Sequence, residues 1–206
     1  MTITFFSTQP YDKAFFTAAN KQFGYTLVFH THALSPATAA TVNGGVVCIF
    51  VNDGCNAEVV EILARQGVTL VALRCAGYNN IDAVAVANHG IAVVRVPAYS
   101  PQAVAEHAVA LLMTLNRKTH KAYNRVREQN FALNGLMGFD VYGKTVGVVG
   151  TGNIGQAFCR IMLGFGCRVL AFDVVANVQM QQMGVQYVDL GTLFAESDII
   201  SLHCPL

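Results

Sequence analysis

The sequence is short of charge. Only 12% of its 206 residues are Asp, Glu, Lys or Arg, against 53% hydrophobic residues, so a disordered tail or a solvating segment is not expected. The 13 Lys and Arg balance 12 Asp and Glu to a net +1 and form no long runs. This argues against a nucleic-acid or anionic-membrane surface as the main partner. No apolar run is long and clean enough to span a bilayer. The nearest, "AVALLMTL" at 108–115, is flanked by Glu106 and His107 on one side and by Arg117 and Lys118 on the other. The N-terminal stretch lacks a basic lead and a small-residue cleavage pattern, so no secretory signal is read there. There is no C-x-x-C among the six cysteines, and none of the internal repeats or low-complexity tracts that mark repeat proteins. Cys48, Cys55, Cys75, Cys159, Cys167 and Cys204 are expected to be reduced core residues of a cytoplasmic protein.

What the sequence does have is alternation. Short apolar runs rich in β-branched and aromatic residues, such as "TITFFST" and "VVCIFVN", take turns with helical patterns such as "NAEVVEILARQG". Continuously apolar strands suit a sheet covered on both faces, and strands alternating with helices imply parallel order through right-handed crossovers. Residues 1–100 are expected to form one α/β domain of five strands, with Ser35 and Pro36 opening one of its helices. A long helix follows, with Ser100 as its cap and Pro101 in its first turn. A Gly-rich connector, "LNGLMGFDVYGK", then leads into a second α/β series, so 101–206 reads as a second domain.

The second series opens on "TVGVVGTGNIGQAF". Gly150, Gly152 and Gly155 stand at G-x-G-x-x-G spacing between a predicted strand and a predicted helix, the context in which this motif holds a dinucleotide. Gly150 permits the tight turn, Gly152 lets a diphosphate approach the backbone, and Gly155 lets the helix pack close to the sheet. The helix N-terminus adds free N–H groups and the positive end of its dipole. Asp173 closes the next strand roughly 20 residues on, where a carboxylate accepts hydrogen bonds from the adenosine ribose and disfavours a 2′-phosphate. The coenzyme is therefore expected to be NAD. "DIISLHC" is read as the fourth strand, lying beside the first, which puts His203 at the border of the crevice, as a strand-end residue without assigned chemistry.

Beyond these local readings, the chain resembles the D-2-hydroxyacid dehydrogenases, most closely the fermentative D-lactate dehydrogenases of bacteria. The resemblance rests on "FVNDG" (50–54), "LRCAGYNNID" (73–82), "VVRVPAYSPQAVAEHAVALLMTLNR" (93–117), "GFDVYGKTVGVVGTGNIGQAF" (138–158) and "SDIISLHCPL" (197–206). It implies a flavodoxin-like catalytic domain followed by a Rossmann domain, and hydride transfer between NADH and a small 2-keto acid such as pyruvate. It also implies that the N–H groups of Ala76 and Gly77 receive the substrate carboxylate as a small anion nest, with Tyr99 near substrate or coenzyme. Asn153 and Ile154 would meet the diphosphate, Asp173 the ribose, and Cys204 and Pro205 the adenine side. A homo-oligomer built through the second domain and its long helix is implied as well. "VPAYSP" leans toward lactate enzymes.

Three tempting catalysts are set aside. Arg74 ends a strand, where an ion pair or cap is the better expectation. Glu106 and His107, adjacent on a helix, point about 100° apart and form no dyad. The family's catalytic Arg, Glu and His follow the segment that matches "HCPL". The resemblance thus implies that all three fall after Leu206, that the Rossmann domain is incomplete, and that this polypeptide alone is inactive, with its fourth strand left as an edge. Two other readings stay open: a dehydrogenase for another 2-hydroxy acid, and a non-catalytic NAD-responsive binding protein on the same scaffold.

Overall fold

The computed structural model describes residues 1–204. The chain divides after Tyr99 into two compact units.

The first unit runs β1 (Thr2–Phe5), α1 (Pro10–Asn20), β2 (Thr26–Phe29), α2 (Pro36–Ala39), β3 (Gly45–Ile49), α3 (Ala57–Arg65), β4 (Val68–Leu73), α4 (Ala83–Asn88) and β5 (Ala92–Arg95). Its five strands are all parallel in the order β2-β1-β3-β4-β5, the flavodoxin-like winding. Phe6, Val47, Ile49, Val71 and Leu73 meet Val59, Val60 and Leu63 of α3 in one buried cluster. Each such side chain contributes about 1.5–3 kcal/mol by leaving water.

The second unit runs α5 (Pro101–Arg117), α6 (Thr119–Arg127), β6 (Thr145–Val149), α7 (Asn153–Gly164), β7 (Arg168–Phe172), α8 (Val178–Gln182), β8 (Gln186–Tyr187), α9 (Leu190–Glu196) and β9 (Ile199–Leu202). Its strands are parallel in the order β8-β7-β6-β9, so β9 lies beside β6, opposite β7. Among the described residues β8 and β9 are the edges. The core joins Val146, Val148, Val169 and Ala171 to Phe158 and Met162 of α7 and to Ala105 of α5.

Helix starts follow the capping chemistry. Ser35, Asn56, Asp82, Ser100, Asn177 and Asp189 each accept a hydrogen bond from a backbone N–H in the first turn of α2, α3, α4, α5, α8 and α9. The helix α7 differs: its N-cap is Gly152, which has no side chain to offer. The long helical pattern after Pro101 breaks at Lys118, whose φ of 50° ends α5 and begins α6.

Two expectations need correcting. Both faces are covered along β3 but not along β5, whose four residues are all exposed. β5, like β2, is an edge strand with a neighbour on one side only. The cysteines are free, but only Cys48, Cys55, Cys159 and Cys167 are buried; Cys75 is half-buried and Cys204 exposed, because both follow strand ends rather than lie within strands.

Candidate coenzyme site

The site in the second unit is built where β6 turns into α7. Gly150 has a φ of 91°, and a Cβ there would lie 2.7 Å from the carbonyl carbon of His203. Left-handed backbone and close approach both require glycine here. A Cβ on Gly155 would run into the carbonyl oxygen of Gly150, so the third glycine seats α7 on the turn itself. Gly152 is different. It is exposed, and nothing lies within 4 Å of where its Cβ would be. Space therefore opens in front of Gly152, at a helix start that no side chain caps. Asn153 and Ile154 form the first turn of α7, Asn153 exposed and Ile154 half-buried on the second core. Free N–H groups and the helix dipole at that point suit a diphosphate.

Asp173, at the end of β7, turns back toward this corner. Its Oδ2 accepts from the Thr151 backbone N–H and, at 2.9 Å, from the Thr151 hydroxyl. The Thr151 N–H, helped by its hydroxyl, holds the Asp173 carboxyl below its ordinary 3.8, against the opposing effect of burial. The Thr151 hydroxyl in turn accepts from the Tyr187 phenol on β8 at 2.9 Å. Neither Thr151 nor Tyr187 was singled out in the sequence. The usable signal for Thr151 is a hydroxyl residue at the first variable position of the glycine motif.

His203 follows β9. Its N–H donates to the carbonyl of Val149, its ring tilts against Phe158 at 4.9 Å, and its Nε2 lies 2.9 Å from Ser201 Oγ. Burial holds it below its ordinary 6.5. Cys204 places its backbone N beside Gly150. Pro205 lies outside the described residues.

In the first unit, the 75–78 loop follows β4 at the C-terminal edge of the sheet, where α/β folds bind ligands. Ala76 is half-buried and Gly77 exposed, and among the described residues neither N–H has a protein acceptor. Gly77 does not adopt the left-handed backbone that its residue type allows. What remains is two undonated amides with open space at Gly77. Arg95 Nη1 braces the loop by donating to the Ala76 carbonyl at 2.7 Å. Tyr99 is exposed where the first unit ends.

Arg74 is the ion-paired residue expected, and more. It faces Asp12 at 3.7 Å and donates to the carbonyls of Phe6 (3.0 Å), Ser7 (3.3 Å) and Cys48 (3.3 Å), clasping β1 and β3 from the end of β4. Asp53, not anticipated from the sequence, is a fully buried carboxylate that accepts from Ser7 Oγ, Leu34 N and Phe50 N. Glu106 and His107 are both exposed on α5.

Residues 109–206 match the family described as D-isomer specific 2-hydroxyacid dehydrogenase, NAD binding domain. Over its whole length the chain is 54% identical to the D-lactate dehydrogenase of Escherichia coli K12, of which it covers 63%.

Residues 109–206 belong to the D-isomer specific 2-hydroxyacid dehydrogenase NAD-binding family.

The apo-structure of D-lactate dehydrogenase from Escherichia coli superposes with a TM-score of 0.94 at 54% identity, covering all of this chain and 66% of that one. Within the family, the Aquifex aeolicus D-lactate dehydrogenase complexed with NAD and lactic acid superposes with a TM-score of 0.81 at 31% identity, covering 99% of this chain and 61% of that one. The chain thus spans less than two thirds of these relatives' length. The coenzyme of the matched domain is NAD, and the residues around Gly150 fit it: open space at Gly152, an uncapped helix start, and a carboxylate at the end of β7.

Proposed function

We propose that this protein acts in NAD-dependent D-lactate dehydrogenation, with residues 1–100 as the substrate domain and residues 101–206 as the coenzyme domain. The observation that carries the reading is the corner at Gly150, where Asp173 is held beside an uncapped helix start. In this reading Gly150, Gly152, Asn153, Ile154 and Gly155 present backbone to the diphosphate, and Asp173 accepts the ribose hydroxyls. Cys204 and Pro205 border the adenine. The amides of Ala76 and Gly77 receive the pyruvate carboxylate, and Tyr99 contributes its hydroxyl to substrate or coenzyme.

NADH, when bound, supplies the hydride that adds to the keto carbon, and the carbonyl oxygen takes a proton to give D-lactate. The residues assigned here bind and orient; none is given the role of proton donor.

Further parts of the reading are a cytoplasmic location and a homo-oligomer. Among the described residues no helix is long and apolar enough to cross a membrane. Leu111 and Leu115 of α5 are exposed, while Leu112 and Met113 face the core, so α5 has apolar surface to share with a second copy.

The test is calorimetry with NADH on the chain and on Asp173→Ala, followed by NADH oxidation with pyruvate, 2-ketobutyrate and glyoxylate. Uptake that collapses in Asp173→Ala supports the coenzyme seat; equal uptake by both overturns it. Preference for another keto acid would reassign the substrate. Uptake of NADH with none of the keto acids reduced would mark a binding protein.

A further inference from the structure

We propose that Tyr187 is a positioning residue for coenzyme selection: through Thr151 it fixes the Asp173 carboxylate and so sets the preference for NADH over NADPH. The proposal rests on the coenzyme seat described above.

The argument starts from which atoms can donate. A carboxylate only accepts, so the Thr151 hydroxyl must spend its one proton on Asp173 Oδ2, at 2.9 Å. The same hydroxyl oxygen lies 2.9 Å from Tyr187 Oη, and with its proton committed it can only accept there. The phenol therefore donates to Thr151, and Thr151 donates to Asp173. The chain has one direction, and each bond polarises the next.

The origin of this chain is rigid. Tyr187 sits opposite Ala171 in the parallel β7–β8 pairing, the Val188 N–H donates to the Ala171 carbonyl at 2.9 Å, and the ring packs on the second core. Thr151 is itself buried, 4% exposed, so it has little water with which to replace a lost partner. Both Thr151 donors fall on Oδ2 and neither on Oδ1. Oδ2 is thus used to hold the group in place together with the Val174 and Val175 N–H groups that also steady the carboxylate, and Oδ1, which takes neither Thr151 donor, can accept from a ribose diol. A carboxylate fixed in this way cannot turn aside to admit a 2′-phosphate. One that has lost part of its restraint can.

A purely structural role for Tyr187 makes a different prediction. Loss of its hydroxyl would then lower stability, or weaken both coenzymes alike. The ratio of NADPH to NADH dissociation constants separates the two, because only a displaced Asp173 moves it.

The experiment measures both constants by calorimetry on the full chain, with thermal unfolding recorded for each variant. Tyr187→Phe is expected to weaken NADH about fivefold, the loss of one net hydrogen bond, while NADPH binding tightens. Thr151→Val should do the same, and Thr151→Ser, which keeps the hydroxyl, should retain the original ratio. The double variant Tyr187→Phe with Thr151→Val should lose no more than either single one, since both break one chain. An unchanged ratio in Tyr187→Phe, or equal weakening of both coenzymes, overturns the proposal. If Asp173→Ala loses NADH while Tyr187→Phe keeps the ratio, the seat stands and the role of Tyr187 falls. Failure of the unaltered chain to take up NADH removes both.

Discussion

The carbonyl oxygen of Gly150 occupies the place where a side chain on Gly155 would begin. The third glycine of the motif is therefore a packing requirement within the protein, whereas the second faces open space. Two alanine substitutions three residues apart should behave in opposite ways.

Gly155→Ala must push α7 off the turn, at a cost of at least about 2 kcal/mol, read as a lower urea midpoint. Gly152→Ala adds a methyl where nothing stands and should cost less than about 1 kcal/mol, the price of a poorer N-cap. Its effect should appear instead as weakened NADH uptake in calorimetry. A stable Gly155→Ala would contradict the geometry of the turn.

Arg74 offers a test in the first unit. Arg74→Met leaves the carbonyls of Phe6, Ser7 and Cys48 without their donor and Asp12 without its cation. We expect a loss of about 2–4 kcal/mol in urea unfolding. Arg74→Lys should recover only part of this, because a single ammonium cannot reproduce the guanidinium fork. Full recovery by lysine would reduce the clasp to simple charge pairing.

Acid stability carries a signature of His203. Burial lowers its folded pKa below 6.5. Between that lowered value and 6.5 the unfolded chain binds more protons than the folded one. The stabilisation is complete above 6.5 and is lost as pH falls through the folded value. His203→Gln should flatten the fall in unfolding free energy as pH drops below 6.5. Asp173 acts in the same sense at lower pH, being depressed below 3.8, so its contribution disappears only in stronger acid. An unaltered pH profile in His203→Gln would mean that the ring is not shielded from water.

Much of this arrangement is legible in the sequence because each piece is local. Strand positions follow from short apolar runs, helix starts from Ser35 and Ser100, and the coenzyme turn from three glycines in one reach of chain. The illegible parts depend on register or on backbone angle. Tyr187 meets Thr151 across 36 residues, and only the β7–β8 pairing brings them together. Lys118 adopts a left-handed φ that its residue type does not announce. Gly77 does the reverse, declining the left-handed turn that its type allows. The clasp of Arg74 joins three strands whose ends converge only in the folded sheet.

The spread of the thiols has a practical outcome. Burial raises Cys48 to about 11 and Cys55 and Cys159 to about 12, which keeps them as inert thiols near neutrality. Cys204, by contrast, is exposed and abuts the glycine turn. A maleimide dye should label it ahead of the others, and because the label then sits at the doorway of the coenzyme seat, its fluorescence becomes a direct optical gauge of occupancy.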